Sequence, residues 1–184
     1  MKLYILHDDR RAERYEPLME ELRTQGITDY EIVRPEINPT KQPFENINLA
    51  HKALVRMAKE KGMEEICIAE DDVMFTSPRA WKYFLDKKPE EYTVYVAATY
   101  IIPPNLNLLT GFQLYMVHHS FYDQFLSVPN SMHIDNAICD LKSNHKICYP
   151  FAALQRPGYS ANHPGQTVNY NAGCGIEEHD LYKG

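Results

Sequence analysis

The sequence predicts an α/β fold: a mostly parallel central sheet flanked by helices, with a loop-rich C-terminal tail. Two observations carry that prediction. Short apolar runs alternate with segments of helical periodicity through the first 70 residues, the pattern of parallel strands joined by covering helices. The third such run, Ile66-Cys67-Ile68-Ala69, then leads straight into Glu70-Asp71-Asp72. That puts three acids at the carboxyl end of a buried strand, where open α/β sheets bind their ligands.

The elements follow in order. Leu3–His7 is the first strand, bounded by Asp8 and Asp9. Ala12, Tyr15, Leu18, Met19 and Leu22 recur at helical spacing, with Gly26 just past the end as a stop. Tyr30–Arg34 is a second strand closed by Pro35, and Glu36–Pro43 carries two further prolines and no periodicity, so it reads as a loop. Ile47, Ala50, Leu54, Met57 and Ala58 share one face of a helix that stops at Gly62. After the acids, Ser77-Pro78 has the form of an N-cap with proline at the first helical position, opening a helix to about Leu85. Tyr92–Ala98 and Phe112–Val117 are further strands, separated by a loop around Pro103-Pro104. Ser120–Leu126 suits a helical turn, and Ser131 would cap a helix from His133 to Lys142. Ile147–Tyr149 ends at Pro150, and the prolines and glycines from Pro157 to Gly175 predict irregular structure.

Length and charge bound the function. A chain of 184 residues is read as one domain, 1–184, large enough to bury a core. Its net charge of −6 argues against non-specific nucleic-acid binding. No stretch approaches the length of a membrane span, and the apolar run before Asp8 is too short for a signal-peptide core. Cys67, Cys139, Cys148 and Cys174 lack CxxC spacing, which argues against zinc and for free thiols in a reducing compartment. A cytoplasmic location is the expectation.

The acids are the chemically informative feature. Carboxylates about 5 Å apart repel by about 3 kcal/mol per pair at an effective dielectric near 20, and a hard divalent cation, which prefers oxygen ligands, would relieve that crowding. Two carboxylate-metal chemistries suit the spacing. In one, an acid binds the metal against a diphosphate while another reaches the ribose or sugar of a nucleotide sugar. In the other, phosphoryl transfer, Asp8 or Asp9 at the end of the first strand joins the cluster. A polar turn that merely leaves a strand is the bland alternative.

The order of several motifs resembles glycosyltransferase family 25, the lipopolysaccharide-biosynthesis type that includes collagen galactosyltransferases. Asp9-Arg10-Arg11-Ala12-Glu13-Arg14 after the first strand is similar to the family's R-x-x-R helix start. Asn48-Leu49-Ala50-His51-Lys52-Ala53-Leu54 leading to Glu70-Asp71-Asp72-Val73 is similar to its S-H helix and E-D-D-V strand. Gly111-Phe112-Gln113-Leu114-Tyr115, His133-Ile134-Asp135, and Tyr149-Pro150 through Gln155 to Ser160 follow in the family's order, so the resemblance spans about residues 1–163. Ala50 stands where the family has serine, Ser160-Ala161-Asn162 lacks the usual acid, and 164–184 matches nothing in the family.

The resemblance implies a GT-A-like, Rossmann-like fold and an inverting, metal-dependent transfer of a hexose. The donor would be a nucleotide sugar, UDP-galactose or UDP-glucose, and the acceptor a hydroxyl on a glycan. It implies that Asp72, with Glu70 or Asp71, holds Mn²⁺ or Mg²⁺ against the donor diphosphate, with His163 completing the shell. Arg11 and Arg14 would contact the nucleotide or diphosphate, the alternative being that Arg10, Arg11 and Arg14 form a solvated helix face. His51 and Gly111 would border the donor, the alternative for His51 being a structural helix residue. Gln155 would orient donor or acceptor. Asp135 would be the general base, the alternative being a first-turn acid favoured by the helix dipole. Apart from the resemblance, Tyr100 with 103–109 would form part of an acceptor wall because sugars stack on aromatic faces, the alternative being core packing. A non-catalytic nucleotide- or glycan-binding relative and a metal-dependent phosphoryl-transfer enzyme are the rival functions.

Overall fold

Strand β1 (Leu3–Leu6) is buried at every position, which requires a sheet covered on both faces. In the computed structural model residues 1–100, 111–141, 143–160, 162 and 166–184 are described. After β1, a 3-10 segment, Asp9–Arg14, starts where the Asp8 side chain accepts from the Arg10 amide, and α1 (Tyr15–Thr24) follows, burying Leu18 and Leu22. Gly26 ends this helix with φ +65°, the left-handed conformation that only glycine adopts cheaply. Next come β2 (Tyr30–Val33) and α2 (Pro43–Glu60), a helix that opens on proline and whose Glu45 side chain accepts from the Gln42 amide at 2.9 Å. Strand β3 (Glu65–Glu70) then delivers the acids, and β4 (Val73–Phe75) leaves them.

The remaining elements are shorter: α3 (Ala80–Asp86), β5 (Val94–Val96), β6 (Leu114–His118), α4 (Tyr122–Ser127), α5 (Ile134–Cys139) and β7 (Lys146–Ile147). They are followed by β8 (Ala153–Gln155), β9 (Gly158–Tyr159), β10 (Thr167–Val168) and α6 (Tyr170–Gly173). Among the described residues six strands form the central sheet in the order β2-β1-β3-β6-β5-β7. All run parallel except β6, which is antiparallel to both of its neighbours. Two-residue alternation sends side chains to opposite faces. Tyr4, Leu6, Ile66, Ile68, Val94 and Val96 meet α2, α4 and α5 on one face. Leu3, Ile5, Cys67, Ala69 and Tyr95 meet α1 and α3 on the other. Both layers are closed by aromatic packing, including Phe84 stacked on Tyr95 at 4.6 Å.

Two features position the site. Leu6 is in register with Glu70, so β1 and β3 end level and the residues beyond them, His7 and Asp71, emerge side by side. A separate antiparallel pair, β4 with β8, sets Val73 opposite Gln155 and returns the C-terminal part of the chain to the acids.

Several elements differ from the sequence reading. Helix α3 begins at Ala80 rather than after Ser77, because the Ser77 carbonyl accepts from the Ala80 amide in a preceding turn. Helix α5 runs over Ile134–Cys139 with His133 at its cap, so neither Ser131 nor Lys142 bounds it; the loop before it is held by side chains of α2. Regular structure does not stop at Pro150, since β8 follows it; beyond β8 the tail is loop-rich as expected and holds only the short elements β9, β10 and α6. Elements of two to four residues are too short to write a period into the sequence. The segment 101–110, with the loop around Pro103-Pro104, lies outside the described residues. Among the described residues no helix is long and apolar enough to cross a membrane.

Ile68 lies in the middle of β3 with no exposed surface. Ile68→Ala is expected to cost about 3 kcal/mol through lost burial and the cavity left behind, measured as a lower urea midpoint.

Candidate functional site

A cavity of about 800 Å³ opens at the carboxyl ends of β1 and β3. Its floor is Glu70, Asp71 and Asp72, one wall comes from α2 and the start of α5, and another from β8, β9 and α6. Glu70 is the last residue of β3, and the following turn carries Asp71 and Asp72. Three consecutive carboxylates thus meet in one partly desolvated place, and each takes a different partner.

Asp71 accepts from His7 Nδ1 at 2.8 Å, from the Asp8 amide at 3.3 Å and from Arg14 Nη1 at 2.7 Å. Asp72 Oδ2 lies 3.0 Å from the same Arg14 nitrogen and accepts from Gln155 Nε2 at 3.0 Å. Glu70 Oε1 faces His51 Nε2 at 3.2 Å, and about a quarter of its side chain (26 %) is exposed to the cavity. Burial works against the Arg14 charge, but Asp72 and Asp71 overcome it and hold its proton more firmly than usual. Asp72 shows the opposite balance. Burial, then the charge of Glu70, push its carboxyl up to about 7 against the pull of Arg14.

Most of the residues singled out from the sequence border this cavity. Arg11 and Arg14 are not a solvated helix face. Arg11 pairs with Glu13 at 2.7 Å, donates to the Tyr159 carbonyl at 2.8 Å and lies over the Tyr159 ring at 4.6 Å. Arg14 donates to that carbonyl as well, at 2.9 Å. The two arginines therefore tie the segment after β1 to β9. His51 is fully buried, bonded to Tyr115 and Glu70. Gly111 has φ +96°, and a Cβ there would run into the Tyr100 ring, so both backbone and space demand glycine. Its amide donates to Asp135 Oδ2 at 3.0 Å, which seats the α5 acid on the cavity wall. Gln155 bridges Asp72 to Gln113, accepting from Gln113 Nε2 at 3.1 Å. Tyr100 lines the cavity and its hydroxyl accepts from the Gln155 amide at 2.5 Å. His163 and 103–109 lie outside the described residues. Asp8 also borders the cavity, its carboxylate paired with Arg10 at 2.6 Å, and Asp9 is paired with Arg34 at 2.8 Å.

His7 and Gln113 were not singled out from the sequence. His7 had a signal, since it directly follows a strand whose parallel neighbour ends in acids. Gln113 had none, because its role depends on β4 and β8 pairing.

Among the described residues no group of three His, Cys, Asp or Glu side chains is spaced to hold a metal ion. The donor chemistry nevertheless fits a hard cation bound with a ligand's own oxygens. Among the described residues Asp72 Oδ1 is buried without a hydrogen-bond partner, an arrangement that is unfavourable unless something positive meets it. Glu70 offers further carboxylate oxygen at the cavity surface, and oxygen-only donors suit Mg²⁺ or Mn²⁺.

No family model and no curated protein sequence matches the chain. Among solved structures it is similar to a glycosyltransferase involved in the glycosylation of the major capsid of PBCV-1, with TM-score 0.52, 13 % identity and 81 % of each chain covered. The chain has the fold of that glycosyltransferase. A Drosophila β-1,4-galactosyltransferase 7 mutant in complex with manganese, UDP-Gal and xylobiose gives TM-score 0.49 at 16 % identity, over 79 % of this chain and 64 % of that one.

Two expectations follow from the electrostatics. Arg14→Met leaves buried Asp71 and Asp72 without their cation and is expected to destabilise the protein by about 3 kcal/mol. Adding Asp71→Asn should recover part of that loss in thermal unfolding. For Asp72 the sign is that of a raised carboxyl. The unfolded group ionises near about pH 4 and the folded one near about 7, so its contribution to stability is complete below the first value and lost as pH rises through the second. Denaturant midpoints of the metal-free protein at pH 5 and pH 8 should show this loss, and Asp72→Asn should flatten it.

Proposed function

We propose that this protein is a metal-dependent, inverting glycosyltransferase of the family 25 type, moving a hexose from a UDP-sugar to a hydroxyl of a glycan. The observation that carries the proposal is Asp72, a buried carboxylate with one oxygen lacking a partner among the described residues, at the floor of a cavity of about 800 Å³. Support comes also from the order of the family-like motifs and from a fold shared with a glycosyltransferase. Phosphoryl transfer needs an unpaired acid from the end of β1 beside the cluster; Asp8 borders the cavity but its carboxylate is paired with Arg10, and Asp9 is paired with Arg34.

Asp72 and Glu70 are the residues that would hold Mn²⁺ or Mg²⁺. When bound, the ion neutralises charge on the departing diphosphate. Arg14 and Arg11 put guanidinium groups on the same side of the cavity, where a diphosphate gains from positive charge. Glu70 accepts from hydroxyls of the donor. Asp135, held by the Gly111 amide, takes the proton of the acceptor hydroxyl while its oxygen bonds to the anomeric carbon. The bond from that carbon to the diphosphate oxygen breaks, and its electron pair leaves with the nucleoside diphosphate. One displacement from the opposite face inverts the anomeric centre. Tyr100, Tyr159 and Tyr170 border the cavity and offer aromatic faces to a sugar acceptor.

A thermal-shift series with nucleoside diphosphates, with and without Mn²⁺, tests this reading. UDP with Mn²⁺ at about a hundred times its dissociation constant should stabilise the protein by about 2.7 kcal/mol. Asp72→Ala should abolish the shift. Asp135→Ala should keep it and lower UDP-sugar transfer by about a hundredfold or more. No shift with any nucleoside diphosphate would sink the proposal.

A further inference from the structure

Helix α2 buries more than its apolar stripe. Asn48, His51 and Lys52 are 0, 0 and 4 % exposed and, being three and four residues apart, share one helix face. Burying polar groups there is unfavourable unless each is paired. Among the described residues all but Asn48 Oδ1 have partners, which lie at the acid floor of the cavity on one side and in the stretch before α5 on the other.

His51 looks toward the acids. Its Nε2 is 3.2 Å from Glu70 Oε1 and its Nδ1 is 2.6 Å from the hydroxyl of Tyr115, which is itself fully buried. A carboxylate only accepts, so Nε2 carries the hydrogen and Nδ1 accepts from Tyr115. Burial drives the Tyr115 pKa well above its ordinary value, which keeps that hydroxyl a donor. The chain of bonds runs in one direction, from Tyr115 through His51 to Glu70.

Asn48 and Lys52 look toward α5. Asn48 Nδ2 donates to the carbonyls of Pro129 and Met132 at 3.0 and 2.9 Å. Lys52 donates to Asn130 Oδ1 at 2.7 Å and to the Val128 carbonyl. Four oxygens between Val128 and Met132 are thus gripped by two side chains one turn apart. This is the stretch that enters α5, whose first turn carries Asp135. An ammonium group buried against neutral oxygens, its pKa lowered by that burial, is a demanding way to hold a loop. It makes sense where the loop's position matters.

We propose that the polar face of α2 is a positioning element that sets both sides of the site from one rigid helix. His51 aims Glu70 at the donor, and Asn48 with Lys52 fix the approach to Asp135. His51 therefore acts through Glu70 and does not itself touch the ligand. The donor half of this inference rests on the nucleotide-sugar reading; the loop half does not.

The test uses His51→Leu, His51→Gln and Lys52→Met in the full chain, with thermal midpoints recorded to show that each folds. Affinity for UDP with Mn²⁺ is measured by calorimetry, and amide hydrogen exchange over residues 128–136 by mass spectrometry. His51→Leu keeps the bulk and removes the donor, so UDP affinity should fall about tenfold, the scale of a lost bond to a charged group. Glutamine supplies an N–H in place of Nε2–H and should bring affinity back to within about threefold. Neither change should alter exchange at 128–136. Lys52→Met should speed exchange there about tenfold and leave UDP affinity within about twofold. The inference is overturned if His51→Leu binds UDP as the wild type does, if His51→Gln binds no better than His51→Leu, or if Lys52→Met leaves exchange at 128–136 unchanged. A wild-type protein that binds no UDP removes the nucleotide-sugar reading and the His51 half with it, while the exchange result still decides the Lys52 half.

Discussion

Arg14 between Asp71 and Asp72 is the contact on which the site depends. Three carboxylates in succession cannot share a partly buried turn without a cation or a proton among them. The guanidinium meets both aspartates from one nitrogen, at 2.7 and 3.0 Å, while its other arm holds the Tyr159 carbonyl. One side chain thus neutralises part of the acid cluster and fastens the C-terminal wall of the cavity to the segment after β1. Against the pull of that one guanidinium, burial and then the charge of Glu70 still push the Asp72 carboxyl up to about 7. The floor of the cavity is left with room for more positive charge than the protein supplies.

The fold explains how these partners meet. Parallel pairing of β1 with β3 ends both strands at one level, so His7 and Asp71 are neighbours in space although 64 residues apart in sequence. Antiparallel pairing of β4 with β8 returns Gln155 to Asp72. Helix α2 crosses between Glu70 and the loop before α5, and carries polar side chains to both. The acids are local in sequence, but nothing that controls them is.

The first half of the fold was legible because its elements are long enough to write a period. Strand β1, helix α1, strand β2, helix α2 and strand β3 all lie close to the positions that apolar spacing indicates. Beyond the acids the signal weakens. Helices α4 and α5 have six residues each, and β7, β9 and β10 only two. The direction of β6 could not be read from its composition, because an apolar strand buried on both faces looks the same in either orientation. The polar face of α2 was hidden for another reason. Asparagine and lysine are residue types that are mostly exposed, and only the loop folded over Asn48 and Lys52 supplies the oxygens that make their burial possible.

By itself, the sequence determined the alternation of strands and helices and the placing of Glu70, Asp71 and Asp72 at a strand's carboxyl end. Both are local properties, since hydrophobic period and adjacency are written along the chain. Only the tertiary structure decided which acid faces which partner: Asp71 to His7 and Arg14, Asp72 to Arg14 and Gln155, Glu70 to His51. Those choices come from strand register and helix packing between distant segments. In a low-dielectric cavity a shift of a few ångströms would assign the same charges to different partners.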